Sequence, residues 1–545
     1  MDAIYMNYIQ AVNGDGGWPL NVFLTPELGP VFGGTYWPGP GTESAVADGS
    51  GGGSSAAGGE EDEDRLDFLV VLQKLDKVWR EQEARCRKEA GEILLQLREF
   101  AAEGTLGARA IGTPGAGGGG ASSAAISASP ATAAAAMAAG NQTAALDLDL
   151  DLDQLEEAYT HIAGTFDAVN GGFGGPAPKF PTPPKLSFLL RLQSFPSAVA
   201  DVVGEKEVAR AREMAIFTLR RLRDSGLHDH VGAGFARYSV TADWSVPHFE
   251  KMVADNALLL GVYLDAWLGA PRDGGAALSK EDEFADVVLE LADYLTSPPI
   301  LTEDGAFATS EAADSFYRRG DRHVREGAYY LWTRREFDAA VGEQSAVAAA
   351  HWNVLQHGNV PRDQDPQDEF INQNVLCVKK DAAELSRQFG MTADEVRGVI
   401  AAAKGKLRAR REGERVRPDT DGKVVAAYNG MVISALARTG NSIRGVDAGR
   451  AERYIGAARR AARFIRDKMW EAEQKVLYRS FYQTRSETRA FADDYAFLIQ
   501  GLLDLAEATA EEEFIVWADE LQRKSFSSPP FPRQTLDVVT YMSLP

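Results

Sequence analysis

The chain has two cysteines in 545 residues, Cys86 and Cys377, far apart in sequence. That leaves no disulfide framework, no CxxC redox pair and no cysteine zinc site, and it is compatible with a reducing, cytoplasmic setting. Basic charge is also scarce: 57 Lys and Arg stand against 79 Asp and Glu, a net charge of -22. Phosphate backbones and anionic membranes are held by clustered cations, so neither nucleic acid nor membrane is an expected partner. No apolar run is long enough to cross a bilayer, and no basic segment with an apolar core follows Met1. At 45% hydrophobic, the chain can fill the cores of more than one domain.

Two stretches are poor in large apolar side chains. Residues 41–64 are Gly, Ser and Ala closing in an acidic run, and residues 104–145 are Ala, Gly and Ser with Arg109 as the only charge. Neither can bury enough surface to fold, so both are expected to be flexible, an insert and a linker. Between them, residues 65–103 place Leu66, Leu69, Leu72, Leu75, Val78, Trp79, Ile93, Leu94, Leu97 and Phe100 at helical spacing, which predicts one amphipathic helix or a pair.

Within residues 1–40, Val22–Leu24 between Pro19 and Pro26 suits a buried strand, and Val31 and Phe32 before GGTYWP suit a second one. From residue 146 onward the pattern is mostly helical. Period 3.6 recurs over 152–166, 205–224, 249–269, 281–296, 391–407, 427–438, 449–469 and 491–509, with connections rich in Gly, Pro and aromatics. Helix pairs joined by long loops predict a helical barrel or solenoid. The alternating Leu and Asp just before residue 153 reads as a charged helix entry.

The densest chemistry lies in residues 227–260, LHDHVGAGFARYSVTADWSVPHFEKMVADNALLL, which holds three of the seven histidines. His228 and His230, two apart, would point to one face of an extended backbone, and His248 beside Glu250 is expected at a helix start. Such clusters mark sites, although hydrogen-bonded loop anchors collect the same residue types.

GGWPLNVFLTP (16–26), FGGTYWP (32–38), the 227–260 run, EAADS (311–315), EGAYYLWT (326–333), YNGMVISALA (428–437) and DDYAFLIQGLLDL (493–505) occur in an order that resembles the spermatogenesis-associated protein 20 and YyaL-like family. The resemblance implies a thioredoxin-like α/β domain followed by a mainly α fold, an (α/α)6 toroid similar to six-hairpin glycosidases and N-acylglucosamine 2-epimerases. It thus implies a partial thioredoxin-like segment over 1–40, a helical connector over 65–103, an incomplete toroid over 146–523 and a divergent tail over 524–545. Pro19 would match the family's cis-proline. The family's cysteine-bearing segment would precede Met1, so the chain reads as truncated at both ends, and Val22–Leu24 are expected to lack elements to pack against. Within the motifs, Ala233 replaces a glycine, Ala254 an aromatic and Tyr428 a tryptophan of the relatives.

In a toroid, loops at one end line a cleft. The candidates there are His228, His230, His248, Glu250, Asp493 and Asp494 for catalysis, and Arg237, Trp244, Asp255, Asn256, Asp314 and Asn429 for substrate binding. This inventory offers flat aromatic faces and planar hydrogen-bonding groups, as a sugar requires. Imidazoles suit proton transfer in an epimerase or isomerase, whereas paired carboxyls suit a glycosidase. The competing readings are a thioredoxin-like redox or chaperone factor and a non-catalytic scaffold. No cofactor is expected. His228 and His230 could ligate zinc with Asp229 or Glu250, but no closed ligand set is visible. Asp493 and Asp494 equally suit a helix cap, Asn429 and Gly430 a close-packed helix entry, and Tyr330 and Trp332 the core. The glycines of 171–175 lack the strand and Lys of a phosphate loop.

Overall fold

The computed structural model describes residues 2–13, 19–35, 37, 68–102, 152–175, 177–195, 197–271, 277–365 and 368–527. Both low-complexity stretches, the peptide bond between Trp18 and Pro19, and residues 528–545 lie outside the described residues. The chain divides into two compact units, one within 1–145 and one within 146–532.

The first unit contains helix α1 (Asp2–Asn13), strands β1 (Asn21–Leu24) and β2 (Pro30–Gly34), and helix α2 (Phe68–Ala102). The strands pair antiparallel, Phe23 opposite Phe32. Tyr5, Tyr8 and Ile9 share one face of α1, and Tyr8 and Ile9 form a small core with Leu97, against which Val22 and Ile93 pack. This corrects the expectation that Val22–Leu24 lack elements to pack against: Val22 packs on the core shared by α1 and α2, and Phe23 lies against Phe32 and Trp37. Gly33 is required here, since a Cβ would lie 2.5 Å from Ile9. The long amphipathic pattern forms two helical segments that meet at a kink at Gln82, together labelled α2.

In the second unit the helices are α3 (Asp153–Gly164), α4 (Pro183–Arg191), α5 (Ser197–Val203), α6 (Glu205–Asp224), α7 (Val253–Leu268) and α8 (Ala285–Leu295). Four more form an insertion: α9 (Arg334–Val341), α10 (Ser345–His351), α11 (Ala382–Phe389) and α12 (Ala393–Glu414). The last are α13 (Ala426–Ser442), α14 (Ala448–Lys468), α15 (Ala492–Thr509) and α16 (Glu512–Ser527).

Helices α4, α7, α13 and α15 pack side by side as an inner row, backed by α6, α8, α14 and α16. This is the alternating inner and outer order of an α/α toroid, in four successive pairs. The inner helices are apolar nearly all round, as α7 shows with VADNALLLGVYLDAWL, and a helix without a polar face has to be buried. The outer helices carry charge on one side, as in α6. Inner neighbours α13 and α15 touch through glycines. A Cβ on Gly430 would lie 2.5 Å from the Phe497 backbone, and one on Gly501 2.5 Å from the Gly430 carbonyl. The inner helices begin at residues 253, 426 and 492, where short hairpins gather and the site is built.

Candidate functional site

The periodicity over 249–269 predicted a helix reaching back to Glu250, but α7 starts at Val253. Residues 247–248 and 251–252 are strand instead, pairing with Tyr238–Ser239 and with Ser310–Glu311. Alternation along this segment decides which candidates meet. Pro247, Phe249 and Lys251 are buried, whereas His248 and Glu250 are half-exposed on the opposite face. The buried three line a cavity of about 30 Å³ with His228 and His230. The two groups of histidines therefore lie on opposite sides of one strand.

His228 and His230 meet as expected, with ring centroids 4.7 Å apart. Their Nδ1 and Nε2 atoms bond the Arg223 carbonyl at 3.0 Å and the Ser225 carbonyl at 2.9 Å. These lie at the end of α6, whose last carbonyls have no helical partners. Burial pushes both imidazoles down to about 3, so at neutral pH they are uncharged donors tying a loop to a helix end. Between them, Asp229 turns away and accepts two bonds from Arg411 at 2.9 and 3.0 Å and one from Lys251 at 2.8 Å. Burial raises this carboxyl, but Arg411 and Lys251 outweigh it and hold the group well below the usual range. The network locks insertion helix α12 onto the site loop. Gly232 makes room for it, since a Cβ there would sit 2.0 Å from the Arg411 guanidinium. The next residue, Ala233, has φ of 67°, a left-handed conformation that favours glycine.

On the exposed face, His248 Nδ1 lies 2.8 Å from Glu326 Oε1, which also accepts the Phe249 N–H at 3.2 Å. The Glu326 hydrogen bond raises the His248 pKa, against the opposing effect of burial. Burial raises Glu326, but His248 brings it below its ordinary value. Arg237 is tied twice to Glu250, by its backbone N–H at 2.9 Å and its guanidinium at 3.1 Å. Tyr238 stacks on His248 at 4.9 Å and is itself covered by Phe180 at 4.8 Å. Asp255, in the first turn of α7, completes the group. Its Oδ2 is buried with no hydrogen-bond partner among the described residues. Burial raises its pKa to about 6, with Arg237 opposing and Glu250 reinforcing the rise. Tyr428, in the first turn of α13, also acts electrostatically on Arg237.

The remaining candidates stand elsewhere. Trp244 is buried, donating to the Asn170 carbonyl at 2.9 Å under the Lys179 ammonium. Asn256 accepts from the Phe235 N–H at 2.7 Å and donates to the Phe235 and Met252 carbonyls. Asn429 does the same one inner helix later, accepting from Phe307 at 2.9 Å and donating to Phe307 and Val425. Asp494 is fully buried and caps α15 through the Phe491 N–H, while also accepting from Ala427 and Arg479. Asp493 is half-exposed, with Arg479 at 3.8 Å. Asp314 is exposed on the hairpin partner of Glu326. Among the described residues no group of His, Cys, Asp and Glu could hold a metal.

Sequence reasoning missed Glu326, Tyr238 and Phe180 as site residues. Glu326 opens the EGAYYLWT motif and Tyr238 sits inside the 227–260 run, so both were in view without a role.

Residues 1–48 match the Thioredox_DsbH family, described as a protein of unknown function, DUF255. Over 540 residues the chain is 31% identical to spermatogenesis-associated protein 20 of Homo sapiens, covering 96% of this chain and 58% of the relative. The chain is a relative of spermatogenesis-associated protein 20. An uncharacterized protein of Caenorhabditis elegans is 29% identical over 543 residues, covering 96% of this chain and 62% of its own. The chain thus spans less than two thirds of the length of these relatives. Among solved structures, a sugar epimerase from a ruminal bacterium overlaps 69% of this chain and 86% of its own at 14% identity, with a TM-score of 0.28. An unsaturated glucuronyl hydrolase from Bacillus sp. GL1 overlaps 68% and 81% at 13% identity, with a TM-score of 0.27. The chain therefore carries a segment matching a thioredoxin-like family ahead of its helical unit. No helix among the described residues is long and apolar enough to cross a membrane.

Proposed function

We propose that the cleft around His248 binds a sugar and moves a proton on one of its carbons, as an epimerase or isomerase does. The observation that carries this reading is Asp255: a buried carboxyl with a partnerless oxygen and a pKa near 6, beside the Arg237–Glu250 pair. Proton transfer is fastest when the acid or base titrates near the working pH. At neutral pH Asp255 is mainly carboxylate and takes the proton from the carbon next to the sugar's carbonyl. His248, whose protonated form the Glu326 hydrogen bond favours, would return one to the carbon. Arg237 would supply the guanidinium that stabilises the enediolate oxygen formed between the two steps. The proton lost and the proton gained balance, and no redox partner is involved. Phe180, 42% exposed and tilted against Tyr238, offers a flat face to a sugar ring.

A glycosidase is the second reading, favoured by the partly protonated Asp255 beside the ion-paired Glu250, an acid and a carboxylate in different environments. A thiol-redox role has less support in this chain, because burial pushes the Cys377 thiol up, away from the reactive thiolate.

The test is incubation with aldoses, ketoses and disaccharides in D2O, followed by proton NMR. Epimerase chemistry exchanges the hydrogen next to the carbonyl, and Asp255→Asn or His248→Ala should slow exchange on the order of 100-fold. Release of a new reducing end without exchange would mean the glycosidase. Exchange at the original rate in Asp255→Asn would remove this carboxyl from the mechanism.

A further inference from the structure

A second cleft, of about 540 Å³, lies between helix α14 and the hairpin of residues 480–485, with none of its lining residues drawn from the His248 group. Its size falls within the roughly 300 to 1,000 Å³ of small-ligand pockets. One wall is a single face of α14. Arg460, Asp467 and Lys468 recur there at helical spacing, so a cation, an anion and a cation follow one another along the groove. Arg463 on the same face is held by Glu511 and Glu513 at 3.2 and 2.8 Å. The facing wall ends in Tyr482, 60% exposed, and Gln483 at the hairpin tip. Phe481 anchors that wall by packing edge-on against Phe464 at 5.3 Å. Asp304 adds a further carboxylate at the floor.

We infer that this groove is a second saccharide-binding site, for a neutral oligosaccharide, separate from the proposed reaction cleft. A sugar hydroxyl both donates and accepts, so it suits a wall where Arg460 and Lys468 alternate with Asp467 and where Gln483 does both. Tyr482 presents the flat apolar face that the ring's C–H side covers. A phosphorylated or carboxylated ligand would gain Arg460 and Lys468 but meet Asp304 and Asp467 as like charges, whereas a neutral sugar meets no repulsion, and an apolar ligand would leave all of these groups desolvated and unpaired. Since Tyr482 is exposed, its replacement removes the platform without opening the core.

The experiment is saturation-transfer NMR with maltotriose, cellotriose and mannotriose on the unaltered chain and on the Tyr482→Ala, Asp467→Asn and His248→Ala variants, each checked for an unchanged melting curve. One of the trisaccharides should bind. Its affinity should fall about tenfold in Tyr482→Ala, fall also in Asp467→Asn, and persist in His248→Ala, with the turnover of the His248 cleft unchanged in Tyr482→Ala. Binding that survives Tyr482→Ala and disappears with His248→Ala would overturn the second site while leaving the first intact. Binding of glucose 6-phosphate or glucuronate in place of the neutral sugars would overturn the ligand class, and no binding by any of these would overturn both site and class.

Discussion

His248 Nδ1 and Glu326 Oε1, 2.8 Å apart, join the hairpin of residues 238–248 to that of residues 314–326. Each partner favours the charged form of the other, which fixes the sign of the pH dependence. The raised His248 contributes stability that is complete below its unfolded value of 6.5 and is lost as pH rises through its folded pKa. The lowered Glu326 contributes stability that is complete above 4.5 and is lost as pH falls through its folded pKa. In urea titrations, Glu326→Gln should therefore cost most between pH 4.5 and 6.5, and least in alkali. A constant cost at every pH would mean that the pair is held by packing rather than by charge.

His228 and His230 should behave oppositely. Their folded values near 3 mean that only the unfolded chain takes up protons as pH falls below 6.5, so their burial costs stability progressively between those values. Nitrogen-15 imidazole spectra should show His248 titrating above its ordinary value while His228 and His230 stay neutral. His228→Ala should destabilise by about 2 kcal/mol, from the lost helix-end bond and the stacked Phe235 contact, with turnover intact in the folded fraction.

Asp255 has a stability signature independent of any substrate. A carboxyl raised from 3.8 to about 6 binds its proton more tightly in the folded chain, so its cost to the fold builds as pH rises from 3.8 to about 6 and is complete above that. Asp255→Asn should raise the melting temperature at pH 8, corresponding to about 3 kcal/mol, and the gain should vanish below pH 4. Gain of stability with loss of turnover is the pattern of a residue kept for chemistry.

Much of this was legible in the residues. Helix α6 coincides with the predicted 205–224, because apolar side chains recur there every turn over a charged background. Helix α12 runs seven residues past its predicted end at 407, to Glu414. Its last turns are packed through Arg411, a buried cation whose partner is Asp229, and periodicity counts only apolar burial. The start of α7 was misplaced for a related reason: Lys251 and Met252 pair with Glu311 and Ser310, a non-local ladder. The histidines were legible as a cluster, but their division between two faces depends on a strand where a helix was expected. Asp255 was in view as a polar group; its unpartnered oxygen depends on contacts that no local pattern encodes.

Asn256 and Asn429 offer the sharpest test of structural against ligand-binding roles. Each closes a two-way clamp on the backbone of a phenylalanine, Phe235 or Phe307, just after a glycine-containing turn, and each spends its second amide hydrogen on the carbonyl four residues back. Truncation to Ala strands a buried N–H and a buried carbonyl, at about 2 to 3 kcal/mol per clamp. Replacement by Asp separates the roles further. The acceptor for the phenylalanine N–H is kept, but a carboxylate then faces two carbonyls in a buried site, so its pKa rises. Asn256→Asp should be least stable above neutral pH and recover on acidification, when the protonated acid can donate to a carbonyl again. Matching losses in urea midpoint for the 256 and 429 variants, with sugar affinity unchanged in the folded fraction, would establish both as loop clamps. Loss of affinity at unchanged stability would return them to the binding surface.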